Sequence, residues 1–280
     1  MAPPRRARAA PSTSSTMAST GGAALPRLKL IDLDAVLLQC IAEWMFAREY
    51  SVFARSCTLC RAAVAGALHA VVPAELMRRL KAGNPIGHEF CRRWPALVVP
   101  AGVSTIGAGA FRDCYYLASI VPPAGLTSIG DNAFNHCTSL TSIVLPSTCT
   151  SIGDDAFINC AVLTSITLPA SLTKLGCGAF NGCQWLSSIT VPDDVVTIED
   201  DTFAFCNALA SVTLPANLAT IKAKAFVNCR ALQSITLPES VTSIHRIAFL
   251  DCIALDAPSR ERIRTICPDA IFDLSEIWQQ

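Results

Sequence analysis

The sequence predicts a repeat solenoid, a stack of equivalent coils that builds a parallel sheet, preceded by a helical cap. The first observation behind this is a 23-residue unit that recurs without insertion or deletion across residues 94–257. The second is that proline and phenylalanine each keep one phase in that unit. A unit this short cannot bury its apolar side alone, so each coil depends on its neighbours. The phase is marked by Cys114, Cys137, Cys160, Cys183, Cys206, Cys229 and Cys252.

Each unit begins with a short apolar strand, such as Leu140, Ile143 and Leu145. Pro146 ends this strand, because proline lacks the N–H that a sheet ladder needs and fixes φ. Six residues later, Ile152 predicts the inward anchor of a second extended segment. The unit therefore predicts two short strands per coil, and the equivalent prolines are Pro100, Pro123, Pro169, Pro192, Pro215 and Pro238.

A phenylalanine follows five residues after the second anchor, with a small residue before it and a thiol three residues after it. This arrangement predicts a core of identical layers. Seven coils at the usual spacing between strands, about 4.8 Å, give a core about 30 to 35 Å long. The predicted ladder is Phe111, Phe134, Phe157, Phe180, Phe203, Phe226 and Phe249.

The blocks Leu-x-x-Ile-x-Leu-Pro, Ile-Gly and Ala-Phe-x-x-Cys together resemble the BspA type of leucine-rich repeat, over about 160 of the 280 residues. The resemblance implies a right-handed leucine-rich repeat solenoid with a parallel sheet on the concave side and short helical or irregular turns on the convex side. It also implies a role in protein recognition or surface attachment. Fold alone does not fix function, so the ligand has to be argued from the surface.

Two regions precede the repeats. Residues 1–27 are rich in Ala, Ser and Thr and have no acidic residue before Asp32, which predicts a disordered tail. The same composition suits an organelle transit peptide, although Pro3, Pro4 and Pro11 oppose an amphipathic helix. In residues 28–93, apolar residues recur at helical spacing, which predicts an all-α domain that caps the first coil.

Part of this helical domain, residues 33–45 and 53–61, resembles an F-box. The resemblance implies that residues 31–65 bind a ubiquitin-ligase adaptor. A plain helical cap is the alternative, since Ile31 and Asp32 replace the usual Leu-Pro opening and Cys60 stands where that family commonly has Trp.

Residues 258–280 are the predicted C-terminal cap. Leu255 begins an eighth strand that Pro258 cuts short, and residues 259–266 read as a helix. The apolar residues that follow predict a lid over the last coil, formed by Ile271, Phe272, Leu274, Ile277 and Trp278.

The zero net charge of the chain hides an asymmetry. Residues 1–93 carry 13 Lys and Arg against 6 Asp and Glu, whereas residues 94–257 carry 6 against 12. The acidic repeats argue against nucleic-acid binding, which needs Lys and Arg along one face. No stretch approaches the roughly 18 uninterrupted apolar residues of a membrane helix. We therefore expect neither a nucleic-acid partner nor a membrane span.

Seven of the fourteen cysteines occupy the core phase, where they read as small apolar side chains. Because stacked side chains do not readily reach a disulfide torsion, we expect free thiols and a reducing, cytoplasmic location, with organelle targeting as the alternative. Cys57-x-x-Cys60 with His88-x-x-Cys91 offers zinc spacing, but positions 57 and 60 fall on an apolar helix face. We expect no metal and no cofactor.

The sequence contains no recognisable catalytic constellation. His136 and His245 fall at variable turn positions 109 residues apart, with no nucleophile beside either. Neither a glycine-rich phosphate loop nor an acid pair in an apolar pocket is visible. These observations predict a protein that is not an enzyme and has no catalytic residues.

The concave face is the usual recognition surface of such a solenoid. Its predicted columns are small and neutral, which β-propensity and hydroxyl ladders on a solvated sheet already explain. A face for one tight partner would more often carry aromatic and Arg anchors. The columns contain Ser142, Ser165, Ser188 and Ser211, and Thr167, Thr190 and Thr213.

Variation is concentrated in the turns. The turn before each phenylalanine is acidic in the early coils and basic in the late ones, and aromatic residues appear in the turn after the cysteine. We expect a specific interface to lie here, although charged turns are usually only solvated. The candidate residues are Asp154, Asp155, Glu199, Asp200 and Asp201, with Tyr115, Tyr116 and Trp185.

The sequence therefore predicts a noncatalytic protein-interaction module whose partner it does not identify. One alternative is an F-box-type substrate receptor of a ubiquitin ligase, in which the helices bind the adaptor and the repeats bind the substrate. A second alternative is a cell-surface attachment protein, which would require export.

Overall fold

The fold was obtained as a computed structural model that describes residues 95–273 continuously, together with residues 70, 71, 80, 86, 91, 92 and 275. The chain divides into two compact units, Met1–Tyr50 and Ser51–Gln280, and every described residue belongs to the second. The predicted tail, the F-box-like segment, and Cys57 and Cys60 lie outside the described residues.

The first strand of each coil builds a parallel sheet. Neighbouring strands pair one period apart, as in Ser142 with Ser165 and Ile143 with Ile166. The inward Ile is buried and its two neighbours face solvent, which is the alternation expected of a pleated strand. Its strands are β2 Ala96–Val98, β4 Ser119–Val121, β6 Ser142–Val144, β8 Ser165–Thr167, β10 Ser188–Thr190 and β12 Ser211–Thr213, with the ladder interrupted between β8 and β10.

The second extended segment of each coil builds another parallel sheet, from two-residue strands. One residue of each strand is buried, as predicted for the anchor that follows each proline. The strands are β3 Thr105–Ile106, β5 Ser128–Ile129, β7 Ser151–Ile152, β9 Lys174–Leu175, β11 Thr197–Ile198, β13 Thr220–Ile221 and β14 Ser243–Ile244, interrupted between β9 and β11.

Between the two sheets, the predicted phenylalanine ladder fills the core. The seven rings are stacked, with centroids 5.0 to 5.8 Å apart and planes within 16° of parallel. All seven side chains are buried. The 23-residue period is therefore a packing period, in which each coil presents the same side chain to the coil above and below it.

The ladder cysteines also have a polar role that the sequence did not indicate. Each thiol from Cys137 to Cys252 donates to the carbonyl of the phenylalanine 26 residues earlier, at 3.1 to 3.3 Å. Burial raises the pKa of Cys160, Cys206 and Cys252 to about 12, so these thiols keep the proton that they donate. A buried carbonyl in each coil gains a partner in this way.

One pair of cysteines departs from the expected pattern. Cys91 and Cys114, one period apart, form a disulfide. The expectation that all ladder thiols stay unbridged is wrong for this pair, since its Cα atoms lie 5.5 Å apart, within the span of a disulfide. Cys91 is consequently not available as a zinc ligand.

The N-terminal side of the first sheet contains a further strand. β1 Ala70–Val71 pairs in parallel with β2, through Ala70 with Leu97 and Val71 with Val98. This strand lies within residues 28–93, which the helical spacing predicts to be all-α. A short apolar run that Pro73 follows can extend a sheet as easily as it can end a helix.

The C-terminal cap closes the other end of the first sheet. Helix α1 Ala257–Ile266 is N-capped by Asp256, whose carboxylate accepts the N–H of Ser259 at 2.9 Å. The buried Ser259 hydroxyl accepts the N–H of Ile235 in the last coil at 3.0 Å. A side chain therefore supplies the hydrogen-bond acceptor at the place where the sequence predicted an eighth strand. Beyond α1, Ile271 and Phe272 are buried and bond to the final coil through Arg246 O and Asp251 N.

Candidate functional site

The convex side consists of turns, and six of the seven coils place two residues there in the left-handed conformation, while the last coil places only Asp251. The two positions are four residues apart, as in Asp155 at φ 54° and Asn159 at φ 58°. Gly, Asn and Asp tolerate this conformation best, which explains why those types recur at both positions. The short helical turns of the prediction are thus successive tight turns, closed by bonds such as that from Cys160 N to Phe157 O at 3.1 Å.

The first left-handed position runs through the charged edge, which we define as Asp131, Asp154, Asp155, Glu199, Asp200, Asp201, Lys222, Lys224, His245 and Arg246. Three of its aspartates accept a backbone N–H of the next coil at 2.9 Å. The pairs are Asp131 with Asp154 N, Asp154 with Cys177 N, and Asp200 with Ala223 N. These carboxylates therefore join coil to coil, as N-cap residues do for a helix.

Glycine makes room for two of these bonds. A Cβ at Gly153 would overlap the Asp131 carboxylate, and a Cβ at Gly176 would meet that of Asp154 at 2.6 Å. Glycine at this position therefore lets the backbone and the aspartate of the preceding coil approach closely at Gly153 and Gly176, although the bond from Ala223 N to Asp200 forms with Lys222 at the equivalent position. Sequence reasoning treated the aspartates as a possible interface and did not connect them with these glycines.

The other two predicted aspartates, Asp155 and Asp201, hold left-handed turns at φ 54° and 56°. Partial burial raises the pKa of Asp155, and repulsion from Asp154, Asp201 and Asp131 raises it further. Burial likewise raises the pKa of Asp201, which Lys224 partly opposes. The acidic edge is therefore mutually repulsive, and the fold itself uses its members.

Glu199 completes the predicted acidic set and is paired with Lys222 of the next coil. Its carboxylate also lies with Cys177 and Asp200 in a group whose potential ligand atoms are within 4.8 Å of one another. The Lys222 ammonium already places a positive charge on this group.

A shallow cleft of about 540 Å³ lies next to this group and reaches the C-terminal cap. It is lined by both cations and carboxylates, including Lys222, Arg246 and Asp269.

The two histidines of the repeats have turn partners. His136 occupies a left-handed position between Asp113 and Asn159, with Nε2 at 3.2 Å from the Asn159 amide and Nδ1 at 3.7 Å from the Asp113 carboxylate. His245 accepts the N–H of Ile247 through Nδ1 at 3.3 Å. The structure does not bring these histidines together.

The concave face carries the predicted hydroxyl columns. Ser142, Ser165, Ser188 and Ser211, with Thr167, Thr190 and Thr213, are all exposed. None of these side chains forms a hydrogen bond within the described part of the chain, so their hydroxyls face solvent. The only large apolar side chains that the described strands expose on this sheet are Val121 and Val144. The described strands of this face offer no aromatic or charged anchor.

The second left-handed position runs through the opposite edge of the turns, which is aromatic. Tyr115, Tyr116 and Trp185 lie there as predicted side chains of the turn after the cysteine, with 42%, 49% and 64% of their surface exposed. The structure adds two residues that sequence reasoning missed, Phe205 and Ile253, exposed by 46% and 58%. We call these five residues the aromatic edge.

Phe205 is the unusual member of this edge. Its φ of 58° puts a bulky side chain in a left-handed position where the neighbouring coils have Gly182 and Asn228. This conformation costs an L-residue other than Gly, Asn or Asp about 1 to 2 kcal/mol. The signal was present in the sequence, because one column reads Asp113, His136, Asn159, Gly182, Phe205, Asn228 and Asp251.

Backbone bonds place Phe205 and Trp185 on one surface. Gly182 N donates to Ala204 O at 2.8 Å, and Ala208 N donates to Gln184 O at 3.0 Å, which aligns this turn with that of the next coil. Trp185 and Phe205 therefore lie on adjacent coils. Their side chains make no hydrogen bond or ring contact with the described part of the chain.

The family model of the BspA type leucine rich repeat region matches residues 88–149 and 127–256, with six copies. The chain belongs to this family. The match covers more than half of the chain and includes the two sheets, the phenylalanine ladder and both edges described above. A comparison with curated protein sequences finds no match. Members of the family are generally protein-interaction or surface proteins.

Solved structures support the same assignment. The leucine rich repeat protein TpLRR of T. pallidum is 32% identical over 61% of this chain and 82% of its own, with a TM-score of 0.59. A leucine rich cell surface protein of Faecalibacterium prausnitzii is 35% identical over 57% of this chain, with a TM-score of 0.53. A leucine-rich repeat protein of Eubacterium ventriosum is 33% identical over 56%, with a TM-score of 0.51. The match spans less than half of the latter two proteins, 45% and 42%.

Proposed function

We propose that this chain is a noncatalytic protein-binding module and that the aromatic edge is its recognition surface. The observation that carries the proposal is Phe205, which holds a strained backbone conformation and leaves 46% of its surface exposed on the coil next to that of Trp185. The left-handed turn itself belongs to the fold, since Phe205 N donates to Val227 O at 2.7 Å, but glycine or asparagine forms the same turn in the neighbouring coils with less strain. Strain held at a single residue in this way is often found at binding sites. Exposed Trp and Tyr side chains are also the types that dominate the energetics of protein interfaces.

The concave face and the charged edge support the proposal by contrast. The concave columns lack the aromatic and Arg anchors that tight interfaces use. The aspartates of the charged edge accept backbone N–H groups of the next coil, so their presence needs no partner to explain it. The aromatic edge is the surface whose composition the solenoid does not require.

Site-specific photocrosslinking of the full chain tests this proposal. A benzophenone side chain would replace Trp185 in one variant and Val144 in another, because Val144 is an equally exposed apolar residue on the concave face. In the cells that naturally produce the protein, we expect a discrete protein adduct from position 185 and none from position 144. Adducts from position 144 alone, or from neither position, would remove the proposal.

Attachment at a cell surface is a second candidate, favoured by the description of the F. prausnitzii match as a cell surface protein. The disulfide between Cys91 and Cys114 also suits an oxidising compartment better than the cytoplasm predicted from the thiols. Within the described residues, no helix has the length and apolar character to cross a membrane. Labelling an epitope-tagged chain on intact cells separates this candidate from a cytoplasmic one.

The ubiquitin-ligase alternative depends on residues 31–65, which lie outside the described residues. Adaptor binding therefore stays a prediction. A pull-down of the full chain with an F-box adaptor tests it without reference to the aromatic edge, because a variant that lacks Trp185 would retain adaptor binding if the two surfaces are separate.

A further inference from the structure

The central part of the aromatic edge carries no charge. Its turns in four successive coils, residues 135–139, 158–162, 181–185 and 204–208, contain no Asp, Glu, Lys or Arg. A partner that placed a charged group here would lose hydration without gaining an ion pair. The turn that carries Tyr116 contains one pair of opposite charges, Arg112 and Asp113, whose side chains lie 3.6 Å apart. The complementary surface at the four central coils is therefore uncharged and apolar, unlike any partner that the charged edge would attract.

Two aromatic side chains in the row along this edge share one position of the repeat, so the distance between them follows from the distance between coils. Tyr116 and Trp185 occupy the same position three coils apart, with the smaller Ser139 and Val162 between them. The ladder rings beneath step by 5.2, 5.0 and 5.5 Å, which places the two aromatic anchors about 16 Å apart along the solenoid. An extended chain turns the same face every second residue and covers about 13 Å in four residues. The difference between the anchor spacing and the length of four extended residues is within the reach of one side chain.

The size of the row favours a narrow ligand. The five exposed side chains offer about 100 Å² each, or about 500 Å² together. A standard interface between two folded proteins buries about 800 Å² on each partner. The row by itself offers less area than one side of such an interface, which favours a narrow ligand such as an extended segment over a folded partner or a second copy of this chain.

We propose that the aromatic edge binds an extended, uncharged segment of a partner protein that runs along the solenoid axis. Two apolar side chains of this segment, four positions apart, pack at Tyr116 and at the pair formed by Trp185 and Phe205. This inference rests on the proposed function and specifies the partner of the same surface. It differs from recognition on the concave sheet, because the segment lies across the turns and forms no strand with the solenoid.

Selection from a phage-displayed library of short random peptides tests the inference. The full chain is the bait, and the full chain with Trp185→Ala serves for counter-selection. We expect recovered peptides to share two apolar residues four positions apart with no charged residue between them. A synthetic peptide of this pattern should bind about tenfold more weakly to the Trp185→Ala and Phe205→Asn chains, the loss of one buried anchor.

Two controls make the result specific. Val144→Ala removes an exposed apolar side chain from the concave face and should leave peptide affinity unchanged. Moving one apolar residue of the synthetic peptide by a single position should lower its affinity, because the side chain then points away from the row.

Several outcomes would contradict the inference. They are peptides that the Trp185→Ala chain binds equally well, a charged consensus, a helical spacing of three and seven positions, or no enrichment at all. If photocrosslinking at position 185 nevertheless captures a protein, the protein-binding function stands and the extended segment is wrong. If crosslinks arise only at position 144, the proposed function itself fails.

Discussion

At the charged edge, three carboxylates bond to the backbone of the next coil, whereas at the aromatic edge the side chains of Trp185 and Phe205 form no hydrogen bond within the described part of the chain. Both edges are built on the same left-handed turns, which lie four residues apart in six of the seven coils. The difference between them is therefore in what the side chains do for the solenoid. The carboxylates are explained by the bonds that they make between coils, whereas the fold does not require an exposed aromatic ring at the strained position of Phe205.

The largest effect should come from the ladder beneath both edges. Phe157 is buried and stacked at 5.0 Å on one ring and 5.5 Å on the other, so Phe157→Ala should lower the free energy of unfolding by about 3 to 5 kcal/mol. Denaturant melts measure this loss. Ser165→Ala on the concave face is the control and should stay within about 0.5 kcal/mol. Similar losses in the two variants would show that the assignment of inside and outside is wrong.

At the charged edge, Asp154→Ala should lower the free energy of unfolding by about 1 kcal/mol, because Cys177 N loses its acceptor. Asp154→Asn is the matched variant, since its side-chain oxygen can still accept that N–H. Denaturant melts should give Asn a stability close to that of the parent chain. Equal losses for Ala and Asn would mean that the charge, and not the hydrogen bond, is what the edge requires.

A smaller effect at the same edge depends on pH. The pKa of Asp155 is raised in the folded chain, so the native state binds a proton more tightly than the unfolded state. Stability from this group is therefore lost as pH rises from about its ordinary value, 3.8, through the raised pKa. Asp155→Asn should stabilise the chain by roughly a few tenths of a kcal/mol at neutral pH, after solvent screening. Melts of both chains across this range should converge at low pH, and a constant difference would exclude titration as the cause.

The smallest effect on stability should be at the aromatic edge. Trp185→Ala removes a side chain that is 64% exposed, so its free energy of unfolding should change by no more than about 0.5 kcal/mol. The same variant should bind the peptide about tenfold more weakly. A loss of stability comparable to that of Asp154→Ala would remove the contrast between the two edges.

The sequence predicted the parts of the fold that repeat. The positions of the prolines, Ile152 and Phe157 recur every 23 residues, and a period that long leaves one way of stacking them. The cap at Ser259 could not be predicted in this way, because it acts once, where the repeat ends. β1 was missed for the same reason, since it lies outside the regular period.

The candidate site was harder to predict because one residue type serves several purposes. An aspartate that accepts a backbone N–H, such as Asp154, and one that holds a left-handed turn, such as Asp155, look identical to a charged interface in the sequence. The aromatic residues Tyr116 and Trp185 were visible because their exposure follows from their phase. Phe205 was hidden among core-like phenylalanines, and only the column of Gly, Asn and Asp around it distinguishes it.

The most direct test of the contrast is the free energy of unfolding of Phe205→Asn. Asparagine relieves about 1 to 2 kcal/mol of left-handed strain, while the loss of the half-buried ring offsets much of that gain. We predict a stability within about 1 kcal/mol of the parent chain, together with peptide binding that is about tenfold weaker. A loss of about 3 to 5 kcal/mol, as for a ladder phenylalanine, would show that Phe205 serves the fold and would contradict the account.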